Sequence, residues 1–348
     1  MSILKKLIGT PQAFALDISD TDIQILEVRG LKNGNVRAFA HIDLAEGIVK
    51  EGLILDQAKL AEAIRSAVDA CRPNKPSTKK VVACLPDTKS VTHLFEFETV
   101  KEKNYRDTIQ KLAAVTVPFN LEELTWDFVV RSKTAELTSV MFAAAKKDLV
   151  QAYDHTCALA GLELTILEPE SLSLSRAVVD RIKLKPNELI SVIDIGGRST
   201  IIAFISRLGM RLTIDSPIAG QALTDAIASA NKVDAAAAEK LKREKGFSDI
   251  SAAQAMRETM KPIVEEFQRA KNHLLRQKNV TLTRVFVAGG SSATPGIIEE
   301  LKTSLEIETA LAVPPFTIPG YSINQLAVVC GLAIRAKKLS PGVNLAHV

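Results

Sequence analysis

The sequence predicts an α/β chain of two related halves around a cleft, with a smaller α+β block inserted in the first half. Three observations carry this reading. A strand, a polar turn and a second strand occur over residues 14–28 and recur over 190–205. Both copies hold an aspartate in the same setting, Leu16-Asp17-Ile18 and Ile193-Asp194-Ile195, 177 residues apart. Between them, over about residues 87–166, the pattern changes to short strands around one helix.

The elements follow in order. Residues 14–18 and 23–28 alternate in polarity and are joined by Ser19-Asp-Thr-Asp22, which makes a hairpin with Asp17 at its bend. Leu60, Ile64 and Val68, four apart, predict a helix over 56–70, and a polar loop from Arg72 leads to a strand over 81–86. The inserted block reads as a strand over 91–97, a helix over 105–115, a break at Val117-Pro-Phe-Asn120, and strands over 125–130 and 137–145. A helix over 149–159 and a strand over 162–167 lead back.

The second hairpin, 190–195 and 201–205, turns through Gly196-Gly-Arg-Ser-Thr200. Helices are predicted over 222–230 and 235–245, the latter capped by Asp234 and stopped by Gly246. A further helix spans 262–277, with Pro262 in its first turn and Ile263, Phe267, Ala270 and Leu274 as an apolar stripe. A strand over 284–288 then runs into Gly289-Gly290 and a helix over 297–305.

Composition narrows the function classes. With 348 residues, 47% hydrophobic and 24% charged, the chain is a folded protein of two-domain size, not a disordered or disulfide-stapled one. A net charge of +4 and 5% aromatics argue against nucleic-acid binding. Cys71, Cys84, Cys157 and Cys330 form no CxxC pair and the five histidines no ligand-spaced cluster, which fits a reduced cytosolic protein without structural metal. No apolar run reaches the roughly 18 residues of a membrane span. Residues 1–8 lack the features of a signal peptide and read either as a short membrane-surface foot or as a plain terminus. Pro341 and Gly342 break any amphipathic helix in the tail.

Two aspartate-bearing hairpins and a strand ending in Gly-Gly point to a bound nucleotide. Glycines let backbone N–H groups approach phosphate oxygens, and carboxylates at the strand ends, Asp17 and Asp194, suit Mg²⁺ held through its waters. Each element alone also has a plain reading, an ordinary turn or an Asx-turn residue.

Over about residues 10–336 the chain resembles the actin-like ATPase superfamily (actin, Hsp70, FtsA), and within it the PilM family of type IV pilus assembly proteins. Asp194-Ile-Gly-Gly-Arg-Ser-Thr200 resembles the second phosphate motif and Val285-Phe-Val-Ala-Gly-Gly-Ser291 the adenosine motif. Ala238-Glu-Lys-Leu-Lys242 is similar to the helix whose glutamate and lysine face the nucleoside. Four segments resemble PilM in particular: 117–124, 160–162, 168–176 and 217–224.

The resemblance implies ATP or ADP, with Mg²⁺, bound through Asp17, Ser19, Thr21, Asp194, Gly196, Gly197, Arg198, Ser199, Glu239, Lys242, Gly289 and Gly290. It implies four subdomains: 1A (10–86 with 167–189 and 322–338), an inserted FtsA/PilM-type 1C (87–166), 2A (190–221 with 282–321) and 2B (222–281). It also implies a cytoplasmic protein, peripheral on the inner membrane. Its partner would be the N-terminal peptide of a PilN-like inner-membrane protein, in a groove between the first α/β unit and the inserted block, with PilO-like proteins and the pilus motor as further partners.

The first phosphate motif departs from the family pattern. Where the family reads Asp-Ile-Gly, small hydroxyl residues and then Lys, this chain has Asp17-Ile-Ser-Asp-Thr-Asp-Ile-Gln24. Ser19 adds a Cβ, Asp20 and Asp22 bring negative charge towards a bound phosphate, and Gln24 removes a cation. The expectation is therefore an ATP-binding scaffold with weak or no ATPase activity. The alternatives are an active ATPase or kinase of this fold, or an FtsA-like or type II secretion component.

Overall fold

The structure, a computed structural model, describes residues 13–31, 35–179, 182–277, 280–316, 318, 320–321, 323–338 and 342–346. The candidate membrane foot at 1–8 lies outside them. The chain divides into two units, one of residues 1–177, 315–317 and 328–348, the other of 178–314 and 318–327.

In the first unit, alternating apolar residues give β1 (Phe14–Ile18) and β2 (Asp22–Val28), antiparallel with Asp17 opposite Gln24. β3 (Val36–Asp43) continues the meander and sets His41 opposite Gln24. β4 (Val49–Lys50) and β5 (Leu53–Ile54) form a separate small hairpin. α1 (Gln57–Ala70) starts at Asp56, whose carboxylate accepts the Lys59 N–H at 3.0 Å. β6 (Arg72–Pro73) pairs with β3, and β7 (Lys80–Leu85) lies parallel to β1.

The inserted block comprises β8 (Ser90–Glu98), α2 (Tyr105–Thr116), β9 (Leu124–Lys133) and β10 (Leu137–Lys146). Its sheet runs β8-β10-β9, and Tyr105, Ile109 and Ala113 of α2 share a core with Phe95, Trp126 and Phe142. α3 (Lys147–Leu159) and β11 (Glu163–Pro169) return the chain to the main sheet, whose order is β11-β7-β1-β2-β3-β6. α4 (Glu170–Val179) follows.

In the second unit, β12 (Glu188–Ile195), β13 (Thr200–Ser206) and β14 (Gly209–Ser216) repeat the meander. Then come α5 (Gly220–Asn231), α6 (Ala235–Glu244), α7 (Ile250–Gln277), β15 (Thr281–Ala288), α8 (Ile297–Leu305) and β16 (Thr309–Leu311). β15 is parallel to β12 and β16 to β15, so the order β14-β13-β12-β15-β16 matches β3-β2-β1-β7-β11 strand for strand. Asp17 and Asp194 thus occupy equivalent strands. The predicted relation between the halves holds at the level of topology.

α9 (Ala327–Lys338) brings the chain back to the first unit. It meets α4 so closely that a Cβ on Gly331 would lie 1.9 Å from the Ser173 carbonyl oxygen. At the end of β11, Glu168 is fully buried and takes both terminal nitrogens of Arg176, at 2.6 and 2.9 Å, and the Ser173 hydroxyl at 2.6 Å. Arg335 of α9 completes the cluster, with Nε 3.7 Å from Glu168. Beyond α9, the Asn344 side chain accepts from Leu167 N–H and donates to the Thr165 carbonyl, both at 3.1 Å, and Leu345 N–H donates to the Leu167 carbonyl at 2.8 Å.

The long helix corrects one expectation. α7 begins at Ile250, with Asp249 accepting the Ala252 N–H at 2.9 Å, so Pro262 lies inside the helix and not in its first turn. The cause is burial. Ala252, Met256 and Met260 extend the stripe of Ile263 and Phe267 into one core, which outweighs the roughly 3 kcal/mol that proline costs a helix interior. Pro262 is solvent-exposed, so Pro262→Ala should restore an i to i−4 hydrogen bond without disturbing the core. Urea unfolding should show a gain of roughly 1–3 kcal/mol.

Candidate functional site

The turn after β1 is closed by its own serine. Ser19 Oγ accepts the Thr21 N–H at 3.1 Å and the Asp22 N–H at 3.0 Å, while Ser19 N–H donates to the Asp22 carbonyl at 3.0 Å. Ser19 and Thr21 therefore sit together beside Asp17, as the sequence implies. Asp20 reaches from the turn to a neighbouring hairpin. Its two oxygens accept the Glu51 N–H at 2.7 Å and the Gly52 N–H at 3.0 Å, at the tip of the β4–β5 hairpin. Asp22 is also engaged, by Gln24 Nε2 at 3.3 Å and His41 Nε2 at 3.8 Å.

Asp17 is the strained group of this turn. Burial, then the charge of Asp22, pushes its carboxyl up to about 7, against the opposing hydrogen bond from the Cys84 thiol at 3.4 Å. Burial would raise Asp22 too, but the hydrogen bond and charge of His41 bring it below its usual value, and the same bond raises His41. Cys84 and His41 went unnoticed in the sequence because they are far from the motif along the chain. Strand register joins them, with β7 and β3 setting Cys84 and His41 in the transverse row of Asp17 and Gln24.

In the second unit the predicted residues cluster. The β12–β13 turn is bound to the start of α5: Gly220 N–H donates to the Gly196 carbonyl at 2.9 Å and Gln221 N–H to the Gly197 carbonyl at 2.8 Å. This leaves Gly197, Arg198 and Ser199 exposed on the turn. Gly289, at φ +84°, passes so close to β12 that a Cβ would lie 2.3 Å from Asp194 Oδ1 and 2.4 Å from the Ile195 carbonyl oxygen. Gly290 beside it is exposed.

Glu239 and Lys242 are brought to the same place through α5. Lys242 Nζ is buried and donates to the Gly220 carbonyl at 2.8 Å and to Thr224 Oγ1 at 2.7 Å, and it pairs with Glu239 at 2.6 Å. Desolvation would raise Glu239, but hydrogen bonds from Lys242, Thr224 and Arg243 carry it down to about 2. Gly220 and Thr224 lie in the segment 217–224, quoted above only as a family likeness. Their link to Lys242 needed the α5–α6 packing.

A second concavity lies within the first unit. A cavity of about 550 Å³ is lined by Leu53 and Ile54 of the small hairpin, Val91 of β8, Leu124 of β9, and Leu149 and Ala152 of α3, with Lys89, Lys146 and Asp148 as charged groups.

The Asp17 shift has a consequence for stability. A carboxyl raised in the folded state costs stability as pH climbs from its unfolded pKa near 4 to its folded value near 7, and the cost is constant above that. Asp17→Asn cannot ionise. It should therefore be more stable than the parent by a margin that grows between pH 5 and pH 8, with an upper bound of about 4 kcal/mol. Thermal unfolding at several pH values checks this; a margin independent of pH would contradict it.

Comparison with known proteins bears on the family and the fold. The family model described as "Type IV pilus assembly protein PilM" matches residues 15–337. Among solved structures, the chain is similar to the PilM-PilN type IV pilus biogenesis complex, at 23% identity and TM-score 0.78, covering 94% of this chain and 99% of that one. It is also similar to the ethanolamine utilization protein EutJ from Carboxydothermus hydrogenoformans (20% identity, TM-score 0.56, covering 95% and 93%). MreB5 of Spiroplasma citri bound to AMPPNP is similar at 15% identity and TM-score 0.55, covering 94% and 96%. Among the described residues no helix is long and apolar enough to cross a membrane. The paired meanders and the family match together mean that this chain has the actin-like ATPase fold and belongs to the PilM family of type IV pilus assembly proteins.

Proposed function

We propose that this chain is a nucleotide-binding scaffold of type IV pilus assembly. In this reading it takes ATP or ADP as a structural ligand and captures the N-terminal peptide of a PilN-like inner-membrane protein. The observation that carries the nucleotide reading is the Gly289 cradle, where the backbone is brought against Asp194 with no room for a side chain. Gly196, Gly197, Arg198, Ser199 and Gly290 would offer N–H and cationic groups to phosphate, and Glu239 and Lys242 would face the nucleoside. Asp17, Ser19 and Thr21 of the first unit would serve the phosphate end.

Burial and then the charge of Asp22 raise Asp17, and a divalent cation beside it would favour the ionised carboxylate. Asp17 and Asp194 would hold Mg²⁺ through its own waters, since this ion keeps most of its shell. The likeness to MreB5 solved with AMPPNP supports the nucleotide reading at the level of fold. The division into 1A, 1C, 2A and 2B is the matching proposal for subdomains.

For the partner, the 550 Å³ cavity between the β4–β5 hairpin and the inserted block supplies apolar walls with charged groups among them, a form suited to a short peptide with a few buried anchors. The similarity to a structure described as a PilM-PilN complex supports this choice. Such capture would hold the protein peripherally at the inner membrane, where PilO-like proteins and the motor are further candidate partners.

A second reading, an active ATPase, draws on Asp17, because a carboxyl near 7 suits a general base. Calorimetry with ATP and Mg²⁺ should give a binding heat, and turnover should fall well below about 1 s⁻¹, the low end of typical enzymes. No heat would remove the nucleotide reading. Turnover near that value, lost in Asp194→Ala, would replace the scaffold with the ATPase. On the partner side, Leu53 is 44% exposed, so Leu53→Glu should fold normally. It should weaken binding of a synthetic PilN-like N-terminal peptide by at least about tenfold and leave the ATP heat unchanged.

A further inference from the structure

The strand face beside the first turn is acidic. Directly paired residues of an antiparallel sheet share a face, as do residues two apart on one strand. Asp17 is opposite Gln24, Gln24 is opposite His41, and Asp22 is opposite Asp43. These positions therefore set three carboxylates, one neutral amide and one imidazole on a single face of β1, β2 and β3.

The imidazole meets the carboxylate next to the turn. His41 Nε2 lies 3.8 Å from Asp22 Oδ1, and both side chains are half-buried, so solvent screens this pair less than a surface one. The same Asp22 oxygen accepts from Gln24 Nε2 at 3.3 Å, and its second oxygen accepts the Thr21 hydroxyl proton at 3.3 Å. Thr21 is one of the groups assigned above to phosphate, yet its donor is committed to Asp22. Ser19 Oγ is engaged in closing the turn, where it accepts the Thr21 and Asp22 N–H groups.

The charged groups around His41 are of one sign. Asp22 faces it from β2, Asp17 from β1 and Asp43 from its own strand, and the contact with Asp22, ahead of the opposing effect of burial, raises its hold on a proton above the usual histidine value. Arg37, further along β3, is paired with Glu27 at 3.5 Å. On the other side, β6 pairs with β3 at Ala38 and Phe39, and its Arg72 guanidinium is taken by the carbonyls of Asp69 and Cys71. The buried residues of α1 are all apolar.

We propose that His41 is a positioning residue for phosphate at the first turn: as a cation it holds the Asp22 carboxylate, which releases the Thr21 hydroxyl to donate to a phosphate oxygen. The inference rests on the nucleotide reading above and gives that site a dependence on pH. Neutral His41 leaves Asp22 with its full charge beside the anion and with the Thr21 proton. Binding therefore weakens as pH rises through the His41 transition, and by linkage a bound anion strengthens the hold of His41 on its proton.

The test is calorimetry of the full chain with Mg-ATP at about pH 6 and about pH 8.5, on either side of the histidine range, for the parent, His41→Gln and His41→Lys. The ratio of parent to His41→Gln affinity largely cancels the titration of ATP and of Asp17, which both chains share. It should be about tenfold at the lower pH and close to one at the higher. His41→Lys should keep the lower-pH affinity at both. With Asp22→Asn as the background, the same ratio should be one throughout, because His41 acts through Asp22. A parent ratio that is equal at the two pH values marks a purely structural histidine and overturns the inference.

Absence of heat with Mg-ATP at either pH refutes the nucleotide reading and this inference with it, and is distinct from binding without the pH-dependent ratio. Should His41→Gln fail to fold, NMR titration of the His41 ring in the parent chain decides. Mg-ATP should raise its midpoint by about one pH unit, the tenfold factor seen from the side of the proton. An unchanged midpoint with nucleotide bound overturns the proposal.

Discussion

A fully buried glutamate organises the first half of this protein. Glu168 ends β11 inside the fold, where a lone carboxylate would be costly by several kcal/mol. Its presence demands cations, and the chain delivers them from two helices, Arg176 on α4 and Arg335 on α9. The packing of α4 against α9, with no room for a side chain at Gly331, follows from that requirement. Removing the carboxylate would leave two guanidinium groups facing each other in a site where Arg335 is already desolvated. Glu168 also stands opposite Cys84, the neighbour of Asp17, so the cluster fixes one end of the transverse row on which the first turn is built.

The two halves share a strand order and use it differently. After β15 the chain passes Asp194 as Gly289, in a conformation and at a distance that exclude a Cβ. The chain leaves β7, the equivalent strand, through Pro86, which packs against the tip of the β4–β5 hairpin. The second half holds its backbone close to the aspartate. The first ties its turn to a neighbouring hairpin through Asp20. One strand order thus carries a close backbone approach on one side and a side-chain connection on the other.

Much of the fold could be read from the sequence because the repeated hairpins carry both the alternation and the aspartate. Two strands escaped although their signal was present: Met210, Leu212 and Ile214 alternate with Arg211, Thr213 and Asp215 in β14, and β3 alternates in the same way. α4 was hidden by three serines, weak helix formers, and α9 by an apolar stretch without periodicity, buried on nearly every side. Pro262 misled because proline marks helix starts more often than interiors. At the candidate site, the glycines and aspartates were legible as motif residues. The orientation of Asp20 was not, since it depends on a hairpin of two-residue strands that no periodicity can announce.

The segment at 342–346 has a consequence for how the chain is made. Its Asn344 and Leu345 occupy the outer side of β11, and the Asn344 contact to Leu167 spans 177 residues. On a ribosome adding about 5–20 residues per second, β11 waits roughly 10–35 s for that cover. Throughout that interval the first sheet presents an unpaired border able to accept a strand from another nascent chain. The intracellular yield of this protein should thus depend on translation speed and on chaperones that shield the waiting edge.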